Sequence, residues 1–118
     1  MGDKKIFIQI ASYRDPQLIT TLRDCISNAK YPDNLVFSIA WQHSKDDKWD
    51  NLDEYKCDDR FKIIDIDYKT SKGACWARHQ CHQHYGGEEY YLQLDSHHRF
   101  IEGWDTECIK MIKQLQKK

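Results

Sequence analysis

The chain has 118 residues, 40% hydrophobic and 31% charged, which suits one soluble globular domain with a single modest core. Its formal net charge of -1, with lysines scattered except for the terminal Lys117 and Lys118, argues against nucleic acid or an anionic membrane as the main partner. No apolar run reaches the length of a transmembrane helix.

The apolar run Ile6-Phe7-Ile8-Gln9-Ile10-Ala11 is too short for a signal-peptide core, and no small-residue cleavage site follows it. A chain that starts at its natural N-terminus is therefore expected to be cytoplasmic. Cys25, Cys57, Cys75, Cys81 and Cys108 are odd in number and lack paired spacing, which fits free thiols in a reducing setting. One or two disulfides stay open on sequence grounds.

The elements follow in chain order. "KIFIQIASY" reads as a buried strand. Asp15-Pro16 has the form of an N-cap followed by proline in the first helical turn, and Leu18, Ile19, Leu22, Ile26 and Ala29 continue at helical spacing. Pro32 and Asn34 mark a turn before a second strand, "LVFSIAW". Residues 43–59 are polar and aperiodic, a loop with one helical turn expected around Leu52–Tyr55. "FKIIDIDY" is a third strand. Ser71 is placed to cap a helix through Ala74, Ala77, Cys81 and Tyr85, which Gly86-Gly87 ends. "EYYLQLDSH" is a fourth strand, and a last amphipathic helix turns Trp104, Cys108, Met111 or Ile112, and Leu115 to one face.

The order β-α-β-(loop)-β-α-β-α predicts an α/β fold of three αβα layers, with a mostly parallel sheet covered on both faces. Residues 1–118 form a single domain in this reading. Ligands of such open sheets bind beyond the carboxyl ends of the strands. That rule brings Tyr13-Arg14-Asp15, Gln42-His43 and Asp95-Ser96-His97 into one neighbourhood.

"QLDSHHRF" carries the most pointed chemistry. Residues two apart on a strand project to one side, so Asp95 and His97 are expected to converge while Ser96 and His98 face away. A carboxylate and an imidazole suit Mn²⁺, or another borderline divalent ion, better than Mg²⁺. Two protein ligands leave positions for phosphate oxygens and water. The alternative makes Asp95 a turn cap and His97 a polar loop residue. A second metal site competes: Cys75, His79 and His82 share one helix face near Cys81 and His84, and such groups bind zinc. One helix face cannot close a tetrahedron by itself.

"QIASYRD", "WQ", "KGACWARHQ" and "YYLQLDSHHRFIEGWD" closely resemble the glycosyltransferases that add N-acetylglucosamine to hydroxyproline of the cytoplasmic protein Skp1. The resemblance runs from about Ile6 to about Asp105. It implies the nucleotide-sugar-binding, Rossmann-like half of a GT-A fold, a UDP-N-acetylglucosamine donor, a divalent metal and retention of anomeric configuration. It also implies that Asp95 and His97 lie at the metal, within the family's version of the DxD motif. Ser12, Tyr13, Arg14 and Asp15 then lie by the uridine, with Gln42 close to them. Gly73, Ala77 and Arg78 fall on the helix that passes the ribose, diphosphate and sugar.

Several of these residues keep two readings. Arg78 either pairs with a diphosphate oxygen or forms a surface salt bridge. Arg14 either fixes Asp15, or contacts base and ribose, or is solvated beside a capping Asp15. Tyr13 lies against uracil or is simply half-buried, and Gly73 allows close backbone approach or is only loop. Trp41 and Trp104 are expected in the core or the cleft wall.

The expected activity is transfer of a sugar from a UDP-sugar to a hydroxyl on a protein or glycan acceptor, with Asp95 and Arg78 as the catalytic groups. The sequence ends one helix after the metal motif, so the acceptor-binding half is expected to be missing. A fragment, a small relative, or a subunit that completes its site as a homo-oligomer would each account for this. Two other classes stay open: a non-catalytic nucleotide-sugar-binding module, and a zinc-binding structural or interaction domain.

Overall fold

The computed structural model describes residues 5–47, 51–97 and 99–116. His98, Lys117, Lys118 and the side chain of Leu115 lie outside the described residues. The strands are β1 (Ile6–Tyr13), β2 (Leu35–His43), β3 (Phe61–Asp67) and β4 (Tyr90–Asp95), and the helices are α1 (Leu18–Asn28), α2 (Ala74–His82) and α3 (Trp104–Gln116). The expected helical turn in the β2–β3 loop is a short 3-10 helix at Asp53–Tyr55.

All strand pairs are parallel, in the spatial order β3-β2-β1-β4. The chain therefore steps outward from β1 through β2 to β3, then returns to the opposite side of β1 for β4. That reversal puts a topological switch point between β1 and β4, where the connections leave the sheet in different directions.

The central position of β1 explains its near-continuous apolar sequence, since both faces are covered. Ile6, Ile8 and Ile10 join Leu18, Leu22 and Cys25 of α1 and Trp104 of α3 in the larger core cluster. The opposite face packs on α2 through Ala40, Ile66, Ala77 and Cys81. Two buried polar side chains tie α2 down. Gln9 Nε2 donates to the Arg78 carbonyl at 2.8 Å, and Ser38 Oγ donates to the Cys81 carbonyl at 2.9 Å.

The "WD" pair holds the segment after β4 against α1. Trp104 Nε1 donates to the Cys25 carbonyl at 2.8 Å. The buried Asp105 carboxylate accepts from the backbone N–H groups of Lys30 and Tyr31 at 2.8 and 2.9 Å. Trp41 and Trp104 are core residues, as expected.

Four local expectations are corrected. α1 begins only at Leu18, because Pro16 and Gln17 form a turn instead of the first helical turn, although the Asp15 carboxylate does accept the Gln17 N–H as a cap would. α2 begins behind Gly73 and not directly behind Ser71, whose hydroxyl donates to Gln42 and accepts the Gly73 N–H at 3.3 Å ahead of the helix. α2 ends at His82, so Tyr85 lies beyond it. Met111 is 60% exposed on α3, where Trp104, Cys108 and Ile109 make the packed face.

Candidate functional site

The carboxyl ends of β1 and β4 flank the switch point. In register, Ala11 of β1 faces Asp95, the last residue of β4. Asp95 leaves the sheet with its side chain 68% exposed, and the Arg78 guanidinium stands 3.5 Å from its Oδ1. Arg78 is steadied from β1, where Gln9 Oε1 accepts from its Nη1 at 3.3 Å. A cation on α2, a carboxylate at the end of β4 and an amide on β1 thus form one chain of contacts across the crevice.

Strand alternation stops at Asp95, and this corrects the expected orientation of Ser96. The backbone bends there, and Ser96 Oγ and His97 Nδ1 both reach Asp15 Oδ2, the latter at 3.1 Å. Ser96 is buried, and its carbonyl accepts from Thr21 Oγ1 of α1 at 2.8 Å. Asp15 Oδ1 accepts from the Gln17 N–H at 2.8 Å. Burial pushes the Asp15 carboxyl upward, but hydrogen bonds from Ser96, Gln17 and His97 outweigh it and hold the group below its ordinary value. The His97 ring itself stays 67% exposed.

A second group of residues lies at the ends of β1 and β2. Gln42 is buried; its Nε2 donates to the Ser12 carbonyl at 3.0 Å, and its Oε1 accepts from Ser71 Oγ. A cavity of about 250 Å³ opens beside it, lined by Ala11, Tyr13, Gln42, Ser71, Gly73 and Ala74. Tyr13 is 55% exposed at its rim. Gly73 has φ 102° and open space where a Cβ would stand, so the backbone conformation requires glycine and crowding does not. Ser12 and Ala77 are fully buried, and neither side chain offers a ligand any surface.

Arg14 does not pair with Asp15. Its Nε and Nη2 bond the Asp47 carboxylate at 2.6 and 3.1 Å, and its guanidinium lies 4.6 Å from the Tyr68 ring centre. Hydrogen bonding between the two raises the Arg14 pKa and lowers that of Asp47. Its backbone has φ 46°, left-handed and unusual for a residue with a Cβ, and its N–H donates to the Gln42 carbonyl at 2.8 Å. Tyr13 meets Tyr68 edge-on at 6.2 Å.

Asp47, Tyr68 and Gln9 were missed by the sequence reading. Tyr68 follows β3 directly, so the strand-end rule that picked out Tyr13 and Gln42 also reaches it. Asp47 lies in an aperiodic loop, and no pattern marks it.

Among the described residues, no group of three or more histidine, cysteine or acidic side chains is placed to hold a metal ion. This removes the zinc site on α2. Cys81 Sγ is buried against the Ile10 carbonyl, and His82 Nδ1 lies 3.0 Å from the Tyr91 hydroxyl. Asp95 and His97 stand two residues apart, each with its side chain mostly exposed. Their chemistry still fits a cation shared with a substrate: an exposed carboxylate, and an imidazole whose other nitrogen rests on a carboxylate, as is usual for metal-binding histidine.

No helix among the described residues is long and apolar enough to cross a membrane. All five cysteines are free, with Cys25 and Cys81 buried. The family model for glycosyltransferase (GlcNAc) matches the chain in two overlapping stretches, residues 5–63 and 51–118. No curated protein and no solved structure matches it.

Proposed function

The chain belongs to the glycosyltransferase (GlcNAc) family, and from that premise we propose that it transfers N-acetylglucosamine from UDP-N-acetylglucosamine to a hydroxyl acceptor. In this proposal it is a divalent-metal-dependent, retaining enzyme, and its sheet is the nucleotide-sugar-binding half of a GT-A fold. The observation that carries the reading is the contact between exposed Asp95 and Arg78 at the switch point, with the exposed ring of His97 two residues farther along the chain. Two potential ligands and a guanidinium there suit a diphosphate and a counter-ion better than a buried structural role.

Asp95 and His97 would hold the cation. A divalent ion such as Mn²⁺ supplies neutralisation of the diphosphate when bound. Arg78 donates charge-assisted hydrogen bonds to diphosphate oxygens, and Gln9 keeps its guanidinium in place. The cavity between Tyr13 and Gly73 takes the uridine, with the Tyr13 ring against uracil and the buried Gln42 fixing its wall. As the sugar's anomeric C–O bond breaks, its electron pair stays on UDP. The acceptor oxygen bonds the same carbon, and its proton passes to a substrate oxygen on the departing diphosphate. Developing charge on that diphosphate is where Arg78 contributes most.

Calorimetry with UDP-N-acetylglucosamine, in Mn²⁺ and after chelation, tests this. The wild type is expected to bind the donor tightly only with the metal present, and Asp95→Ala is expected to lose that dependence. Equal affinity with and without Mn²⁺ refutes the reading. Release of UDP by donor hydrolysis separates an enzyme from a module that only binds.

A further inference from the structure

The resemblance places Asp15 beside the uridine, but in the structure its carboxylate is mostly buried and both of its oxygens are bonded within the protein. Its side chain is 16% exposed, and each oxygen is already an acceptor. Oδ1 takes the Gln17 N–H, and Oδ2 takes both the Ser96 hydroxyl and the His97 ring. The residue is fixed in turn by its own backbone, since the Leu18 N–H donates to its carbonyl at 3.3 Å at the entry to α1. The far side of the contact is equally fixed, because Thr21 of α1 bonds the Ser96 carbonyl. α1 therefore reaches the end of β4 through two side chains, Asp15 and Thr21.

This arrangement decides the state of an exposed imidazole. An ionised carboxylate can only accept, so the hydrogen between the two groups sits on His97 Nδ1. The lone pair is then on Nε2, the nitrogen that does not touch Asp15. A neutral imidazole in the opposite tautomer would carry a hydrogen on Nε2 and could not ligate through it.

We propose that Asp15 is a positioning residue: it holds the His97 imidazole as the Nδ1–H tautomer and leaves Nε2 free for a divalent cation. The cation half rests on the function proposed above; the tautomer half rests on the Asp15 contacts alone. Sequence spacing joins Asp95 to His97, whereas the fold joins His97 to Asp15, 82 residues away.

Asp15→Asn tests both halves. The asparagine keeps the shape: with its oxygen on the Gln17 N–H, its amide nitrogen takes the Oδ2 position, donates to Nδ1 and favours the Nε2–H form, while Ser96 Oγ turns to accept the second amide hydrogen. Ser96→Ala is the control, since it removes the other donor to Oδ2 and leaves the tautomer alone. The ¹⁵N shifts of His97 are recorded on metal-free protein at a pH where the ring is neutral, and Mn²⁺ affinity is measured by paramagnetic titration. The expected result is an Nδ1–H ring in wild type and Ser96→Ala, and an Nε2–H ring in Asp15→Asn. Mn²⁺ affinity in Asp15→Asn is expected to fall about 10- to 100-fold, the usual effect of losing such a partner, with little change in Ser96→Ala.

An Nε2–H ring in the wild type overturns the proposal. So does an Asp15→Asn protein with unchanged Mn²⁺ affinity, or a Ser96→Ala protein that weakens equally, which would mark a general loosening of the turn. A wild type with the Nδ1–H ring but no Mn²⁺ binding overturns the metal-dependent function and the cation half, while the tautomer result stands.

Discussion

Arg78→Met separates a catalytic guanidinium from a structural one. Methionine keeps most of the unbranched stem, so packing on α2 survives and the charge alone is lost. The contact with Asp95 is long, at 3.5 Å, and Asp95 is mostly in water, so its loss costs between zero and about 1 kcal/mol. The bond to Gln9 Oε1 is also long, at 3.3 Å, and leaving that oxygen unpaired costs about 1 kcal/mol, the low end for a buried acceptor. The other two bonds of Gln9, to the Arg78 carbonyl and the Tyr91 hydroxyl, do not involve the guanidinium. A total of about 1–2 kcal/mol lowers the melting temperature by roughly 4–8 °C and leaves a protein of ordinary stability folded in the assay. Removing a preorganised donor to the charge that develops on a leaving group costs far more, about 3–4 kcal/mol or 10²- to 10³-fold in kcat. The assay is UDP release from UDP-N-acetylglucosamine at saturating donor, beside a thermal melt of the same sample. A kcat within about tenfold of wild type, with the melt shifted as stated, refutes the placement of Arg78 at the diphosphate.

Two further outcomes follow from the geometry around β1. Arg14 sits at φ 46° while its side chain is engaged by Asp47. Arg14→Gly and Arg14→Ala both lose that pair, but only glycine relieves the backbone, so the glycine variant is expected to melt about 4 °C higher; an alanine variant equally stable would show that no strain is held there. The pH dependence comes from Asp15, whose carboxyl is depressed in the folded protein. A carboxyl lowered by folding stabilises the native state above the unfolded pKa of about 3.9, and that contribution disappears as pH falls through the lower, folded value. The stability difference between wild type and Asp15→Asn is therefore expected to shrink with acidification below about pH 4, measured by melts across the range; a gap independent of pH would contradict it.

The parts of the fold that follow from burial were legible in the sequence. Ile6 to Ile10 read as a buried strand, and the alternation of strands and helices argued for a mostly parallel sheet. Of the candidate site, the strand-end rule placed Tyr13, Gln42 and Asp95 at the carboxyl edge of the sheet, where the structure has them. What failed was the orientation of short polar side chains. Asp15 and Ser71 each have the sequence context of a helix cap, and a cap is a local bond that needs no tertiary information. In the fold, each is also claimed by a partner far away in sequence: Ser96 and His97 for Asp15, and Gln42 for Ser71. The same blindness hid Asp47, whose only mark is its pairing with Arg14.

The starts of α1 and α2 bear on the function. Asp15 and Ser71 each bond a crevice partner and also accept a backbone N–H two residues on, from Gln17 and Gly73, while the residues directly before α1 and α2 make no side-chain cap. At α2 the uncapped end begins with Gly73 and Ala74, which line the cavity beside Tyr13 and Gln42. First-turn N–H groups without an internal partner favour a negatively charged neighbour. Arg78, one helical turn farther along α2, adds a full positive charge on the way to Asp95. A diphosphate lying from the cavity toward Asp95 would meet first backbone N–H groups and then the guanidinium. That order matches the proposed placement of the nucleotide at β1 and β2 and of the sugar end at β4.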